Sequence, residues 1–320
     1  MRTLGSSDLN VFPLALGGNT FGWTSDETAS VEVLDAYTAA GGNFIDTADG
    51  YSAWVPGNSG GESETIIGRW MSQRGNRDTI VLGTKVSQHP DFRGLAAANV
   101  AAAADASLQR LNTDHIDLYY AHFDDASVPL EETVTAFNDL VVAGKVRYVA
   151  VSNYSAARID EWVSIARANG FALPVALQPQ YSLVHRDAFE RDLAPVAERH
   201  NLGVTPYFSL ASGFLTGKYR TKADLSGAAR EQMAGGYFTD EGLAVVAALD
   251  EIATARGAEI ATVALAWLQA QPTVVAPIAS ARVTSQLGAL MASADLELSA
   301  DELATLDAVS ALVGSTKVGA

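Results

Sequence analysis

Eight short apolar runs alternate with helical patterns along almost the whole chain, and that alternation limits the possible folds more than any single motif. The runs are Leu14–Gly17, Phe44–Thr47, Ile80–Lys85, His115–Ala121, Val146–Ser152, Val175–Pro179, Gly203–Tyr207 and Thr273–Ile278. Most are apolar at successive positions rather than at every second one, as strands buried on both faces of a parallel sheet require. The segments Thr28–Ala40, Ser63–Ser72, Gly94–Leu111, Leu130–Ala143, Ala156–Ala168 and Phe189–His200 read as helices between them. One of these, LAAANVAAAADASLQRL, is dense in alanine, the strongest helix former. Gly41-Gly42, Gly144, Gly170 and Gly203 fall where turns must lead into strands.

Eight strand–helix units over 320 residues predict a (β/α)8 barrel, with residues 1–320 forming one domain. An open doubly wound sheet is the competing architecture, and it usually carries G-x-G-x-x-G after its first strand. The corresponding turn here, GGNTFGW, lacks that spacing. Ahead of the first strand, MRTLGSSDLNVF predicts a β-hairpin turning at Gly5-Ser6-Ser7 and plugging the N-terminal end of the barrel. Leu210–Asp240, with five glycines and several basic residues, is too long for an ordinary βα connection. It is expected either to close over a ligand or to join a neighbouring subunit, so a homo-oligomer stays open. Two further helical patterns, Gly242–Arg256 and Thr262–Ala270, precede the last strand.

A formal net charge of −16 argues against nucleic acid or an anionic membrane as partner, while leaving room for a local basic pocket. The absence of cysteine excludes disulfides, thiolate metal sites and cysteine nucleophiles. Ile260 to Ala281 is uncharged, but Pro272, Pro277, Gln269 and Gln271 favour a buried helix and strand over a membrane span. The first residues lack the apolar core of a signal peptide, so a cytoplasmic location is expected.

Four side chains sit at or just past strand ends. Asp46, Lys85 and His122 end the second, third and fourth runs, and Tyr51 follows Asp46 by five residues. The C-terminal strand ends of a barrel share one face, so the four can meet. Tyrosine titrates near ~10 and is a poor acid at neutral pH. A neighbouring ammonium favours the phenolate, and a carboxylate keeps that ammonium charged and aimed. Tyr51 could then protonate a carbonyl oxygen. Each residue also has a plainer reading: Asp46 and Lys85 as an ion pair bracing the barrel mouth, Tyr51 as a loop aromatic, His122 as a core histidine. Their joint occurrence at consecutive strand ends favours a site. Trp23, Trp54 and Phe123 follow the first, second and fourth strands and could line a substrate pocket with Tyr51 and His122. His89 invites a metal reading with His122 and Asp46, but no paired ligand motif accompanies it.

With these residues in view, the chain resembles the aldo-keto reductase superfamily, in its potassium-channel β-subunit-like branch, from the N-terminal hairpin to ASARVTSQL. NFIDTADGY is similar to the family's Asp-x4-Tyr element, VLGTK to its lysine strand and DLYYAH to its histidine strand. VSNY and LQPQYSL are similar to its fifth and sixth strand signatures. The resemblance implies a barrel that binds extended NADPH, with NADH possible, and interconverts a small-molecule carbonyl and its alcohol. It implies Tyr51 as proton donor, Lys85 as the partner that lowers its pKa, Asp46 paired to Lys85, and His122 orienting the carbonyl. Ser152, Asn153 and Gln178 would hold the nicotinamide carboxamide, with Tyr207 stacked on the ring and Thr20 and Asp46 among the cofactor contacts. Ser209, Leu210, Gly213 and Lys218 would follow the pyrophosphate; Ser280, Arg282 and Gln286 would hold the adenosine end. An arginine there suits a 2′-phosphate and so favours NADPH. Two positions depart from the pattern. Ala289 and Leu290 stand where many relatives carry Glu-Asn, and PIASAR lacks a glycine common before the phosphate-binding residues. A cofactor-binding regulatory subunit and a Schiff-base aldolase using Lys85 are the rival functions.

Overall fold

The computed structural model describes residues 1–227 and 230–314. Two short antiparallel strands, β1 (Arg2–Thr3) and β2 (Asn10–Val11), form the expected hairpin. A Cβ on Gly5 (φ +54°) would overlap the Val175 carbonyl, so only glycine lets the hairpin sit this close to the barrel floor. Leu4, Leu9 and Val11 are buried against Ala15, Phe44, Val81 and Leu118 in the barrel interior, as a plug requires.

Eight parallel strands follow: β3 (Ala15–Gly17), β4 (Phe44–Asp46), β5 (Val81–Val86), β8 (Ile116–Ala121), β9 (Val146–Ser152), β10 (Pro174–Gln178), β11 (Gly203–Val204) and β12 (Ile278–Ala279). A small hairpin of β6 (Gln88–His89) and β7 (Phe92–Arg93) interrupts the series. The strands pair in chain order from β3 to β11, and β12 returns to β3. The last expected strand, Thr273–Ile278, is displaced: regular pairing covers only β12. Pro277 has no N–H to give, which breaks the ladder there. Residues 273–278 still close the ring, because Val204 N donates to Thr273 O (2.9 Å), Val275 N to Val204 O (2.9 Å) and Ile278 N to Pro206 O (2.9 Å).

The helices α1 (Glu27–Ala39), α2 (Glu62–Arg74), α3 (Ala97–Leu111), α4 (Leu130–Val142), α5 (Ala156–Asn169), α6 (Ala194–Arg199), α7 (Glu231–Gly235), α8 (Asp240–Arg256), α9 (Ile260–Gln269), α10 (Leu287–Met291) and α11 (Ala300–Ser310) surround the strands. Their ends match the local chemistry: Asp26, Ser155, Thr239 and Ser299 accept backbone N–H groups at N-termini. The stretch expected as one helix, Phe189–His200, begins instead with a π-helical turn, Phe189–Leu193, before α6. Pro195 in the first turn of α6 supplies no N–H, and the ladder widens around it. No helix among the described residues is long and apolar enough to cross a membrane.

Side chains alternate in and out along each strand. From β4 to β10 the inward series end in Asp46, Lys85, Ser152 and Gln178, all at the C-terminal mouth; Asp46 stands opposite Gly83, one inward position before Lys85, and Gln178 stands opposite Ser152.

Candidate active site

The chain brings the four strand-end residues together. Lys85 Nζ lies 2.7 Å from Asp46 Oδ2, 2.7 Å from the Thr47 carbonyl and 3.0 Å from the Tyr51 hydroxyl. Its side chain is fully buried, and its ammonium stands 4.8 Å from the Tyr51 ring centroid and 5.7 Å from that of Tyr120. The His122 ring meets the Tyr51 ring edge-on at 6.2 Å.

The ionisation of this group follows from burial. Desolvation works against the Lys85 ammonium, but Asp46 and then Tyr51 outweigh it, so the lysine titrates above its usual value and stays charged. For Tyr51 the expected lowering by Lys85 does not prevail. Burial raises its pKa, Lys85 opposes that rise, and Asp46 adds to it, leaving the phenol above the ordinary tyrosine value. Burial and the Lys85 charge hold His122 well below the usual histidine range, so it is neutral. Its Nδ1 is buried, with no hydrogen-bond partner among the described residues.

A second set of hydrogen bonds extends the site across β9, β10 and the segment after β11. Gln178 Nε2 donates to Asp46 Oδ1 (2.8 Å), and Ser152 Oγ donates to the Gln178 carbonyl (2.8 Å). Asn153 Nδ2 donates to the His122 carbonyl (2.9 Å) and to Ser152 Oγ (3.1 Å), while the Tyr207 hydroxyl donates to Asn153 Oδ1 (2.7 Å). Asn153 holds φ +56°, and this left-handed turn at the end of β9 aims its amide back over the barrel mouth.

All of this opens into a cavity of about 1100 Å³. Tyr51, Trp54, His122 and Phe123 line it as a contiguous aromatic cluster, and Asn153, Gln178 and Tyr207 line it as well. Ser209, Leu210, Gly213, Lys218, Ser280, Arg282 and Gln286 also line it, with Thr20. The residues that replace the Glu-Asn pair, Ala289 and Leu290, also reach it. Two predicted residues sit one layer back. Ser152 is buried beneath the cavity with its hydroxyl engaged, and Trp23 stacks edge-on behind Trp54 at 5.5 Å without reaching the lining. The Ser209 hydroxyl, though its residue lines the cavity, donates to the Pro206 carbonyl.

The long segment after β11 folds over this cavity rather than away from it. Its short turns, 211–216 and 222–225, lead to α7, and Tyr219, Leu225 and Ala234 form a small core of their own beside Phe238. Ala228 and Ala229, within the segment expected to close over a ligand, lie outside the described residues, as do 315–320. Phe208, Ala211 and Ser212 all hold positive φ (52°, 47° and 58°), backbone strain concentrated where the chain borders the cavity.

The most informative residue missed in the sequence is Arg230. It lines the cavity, stacks over Trp23 at 5.5 Å and donates a side-chain hydrogen bond to Asn19 Oδ1 (3.3 Å). Among the described residues neither Arg230, Lys218 nor Arg282 has a carboxylate in ion-pair contact. Burial and the nearby Arg282 charge pull the Arg230 guanidinium below its usual pKa. Unpaired cations at a half-enclosed cavity, on a chain of net charge −16, fit a polyanionic ligand. Gln180, Asn19 and Glu259 were missed as well; nothing in their local sequence distinguishes them from structural residues.

Comparison with known proteins shows the family of the chain. The model of the "Aldo/keto reductase family" matches residues 13–311. Norsolorinic acid reductase B of Aspergillus parasiticus is 32% identical, over 94% of this chain and 81% of its own. Protein tas of Escherichia coli is 33% identical over 95% of both chains. A probable voltage-gated potassium channel subunit beta of Oryza sativa subsp. japonica is 33% identical, over 92% of this chain and 91% of its own. The chain belongs to the aldo/keto reductase family, whose members are NAD(P)H-dependent oxidoreductases acting on carbonyls.

Proposed function

We propose that this protein reduces an aldehyde or ketone to the alcohol, reversibly, with NADPH as preferred reductant and Tyr51 as proton donor. The observation that carries this reading is the direction of one hydrogen bond. An ammonium only donates, so the Tyr51 oxygen accepts from Lys85 and its own proton is left to point into the cavity.

The raised pKa refines the part Lys85 plays. Tyr51 rests as the phenol, the form a proton donor must hold at neutral pH. Lys85 stays charged and in contact, so it stabilises the phenolate as the proton leaves, a gain made in the transition state rather than the ground state. Asp46 holds that ammonium in place. His122, neutral and facing the cavity beside Tyr51, can donate a hydrogen bond to the same carbonyl oxygen without competing as an acid. Trp54 and Phe123 would give an apolar wall to the substrate, with Trp23 supporting Trp54 from behind.

The cofactor residues fit an extended dinucleotide. Bound there, it would supply the hydride. Asn153 and Gln178 would hold the carboxamide and Tyr207 the ring face, with Ser152 fixing Asn153 and Gln178 from below. Lys218 and Arg230 suit the pyrophosphate; Ser280, Arg282 and Gln286 suit the adenosine end, where Gln286 Oε1 already accepts from Arg282 N (2.8 Å). Arg282 is the basis for preferring NADPH. The same geometry counts against a Schiff-base aldolase, since Lys85 is a fully buried, charged and triply bonded amine.

Incubation with NADPH and a panel of aldehydes and ketones, followed by loss of the reduced-nicotinamide absorbance, tests the reading. Tight cofactor binding without turnover would favour the second reading, a cofactor-binding regulatory subunit, which rests on the similarity to a probable channel β-subunit.

A further inference from the structure

Gln178 has its two amide ends in different environments. It stands at the C-terminal end of β10, 2% exposed, and its Nε2 donates to Asp46 Oδ1 (2.8 Å). A carboxylate can only accept, so the amide orientation is fixed, with nitrogen toward Asp46. The nearby Tyr120 hydroxyl is engaged elsewhere, 3.1 Å from Thr205 Oγ1. Among the described residues nothing donates to Oε1, although Gln178 lines the cavity. Its backbone is held too, since the Gln178 carbonyl accepts from Ser152, which in turn accepts from Asn153.

Asp46 is therefore shared. One oxygen takes the Gln178 amide; the other takes the Lys85 ammonium that contacts Tyr51. We propose that Gln178 is a positioning residue for proton transfer at Tyr51, acting through Asp46 and Lys85 in response to a donor at its cavity-facing oxygen. This rests on the reductase reading above and adds to it a link between the carboxamide seat and the proton donor. A hydrogen bond accepted at Oε1 polarises the amide and strengthens the Nε2–H bond to Asp46. The carboxylate then draws less on Lys85, and the ammonium turns more of its charge to the phenolate. An amide donor in the seat thus lowers the proton affinity of Tyr51.

Calorimetry of NADP+ binding, run at about pH 9 in two buffers of unequal ionisation enthalpy, counts the protons released on binding, where a shifted tyrosine begins to contribute. Wild type is expected to release a measurable fraction of a proton and Tyr51→Phe almost none. Gln178→Met keeps side-chain length but has no amide; it is expected to release less than half the wild-type amount. The alkaline limb of its kcat profile should move up by roughly half to one pH unit. Gln178→Asn keeps an amide but withdraws it by one methylene from Asp46, and should shift both readouts the same way. Proton release equal to wild type in Gln178→Met overturns the proposal even if NADP+ binds more weakly, because the amide is then only a cofactor contact. Should Gln178→Met fail to fold, release unchanged in Gln178→Asn overturns it instead. Proton release in Tyr51→Phe equal to wild type overturns the link, because another group then responds; the reductase reading itself is tested separately, by turnover with NADPH.

Discussion

Asp46 and Lys85 face each other from neighbouring strands at 2.7 Å, and both side chains are almost completely withdrawn from water. Such a pair gains little stability over apolar residues of the same size, yet removing one partner strands a buried charge. Lys85→Met alone is accordingly expected to cost about 3–5 kcal/mol, read from urea unfolding. The double variant Lys85→Met with Asp46→Leu should recover much of that loss while remaining inactive. Recovery of turnover with stability would show the pair to be structural only.

Tyr51→Phe keeps the ring against His122 and Trp54 and removes the hydroxyl. Turnover is expected to fall by on the order of 10²–10⁴, the range of a lost general acid. NADPH affinity, measured by fluorescence titration, should change little. Unchanged turnover would remove Tyr51 as the donor.

The pH profile follows from the directions of two shifts. Carbonyl reduction needs the Tyr51 phenol, whose pKa burial raises in the free protein, so kcat should hold through neutral pH and fall only on the alkaline side. His122 stays neutral well below its usual range, so no catalytic inflection is expected near ~6.5. An inflection there that vanishes in His122→Gln would contradict the neutral imidazole.

His122 also affects stability. Its folded pKa is depressed, so the unfolded chain binds the proton first as pH falls. The stability it contributes is complete above the unfolded value near ~6.5 and declines as pH drops from there toward the folded value. The urea midpoint should therefore fall more steeply below about pH 6.5 in wild type than in His122→Gln. Parallel curves would show that protonation of His122 is not linked to folding.

The two arginines of the cavity should separate by cofactor. Arg282→Ala is expected to weaken NADPH binding at least about tenfold more than NADH, as loss of a charged contact to one phosphate implies. Arg230→Ala should weaken both to a similar extent. Equal losses of NADPH and NADH in Arg282→Ala would remove the 2′-phosphate assignment.

The barrel was legible because continuous apolar runs such as IVLGTK and IDLYYA suit only strands covered on both faces, and their count matches the ring. The last strand was misplaced because TVVAPI carries the apolar signal across Pro277, and pairing partners rather than hydropathy decide where a ladder forms. Phe189–His200 carried a helical pattern throughout, while Pro195 forced a π-turn that period alone does not reveal. Arg230 had no local signal beyond the basic residues Lys218, Arg220 and Lys222 earlier in the same segment. Only folding the segment back over the barrel turns that excess into an unpaired cation facing the cavity.

Sequence by itself determined which side chains stand at the C-terminal strand ends, because the two-residue strand period and the order of the runs leave little choice. It therefore determined the meeting of Asp46, Tyr51, Lys85 and His122. Tertiary structure decided how those groups ionise and whom they answer to. Full burial, and not the adjacent ammonium, sets the Tyr51 proton, and Gln178, distant in sequence, joins Asp46 from across the barrel. Desolvation and long-range hydrogen bonds depend on everything packed around a residue, and no local pattern encodes them.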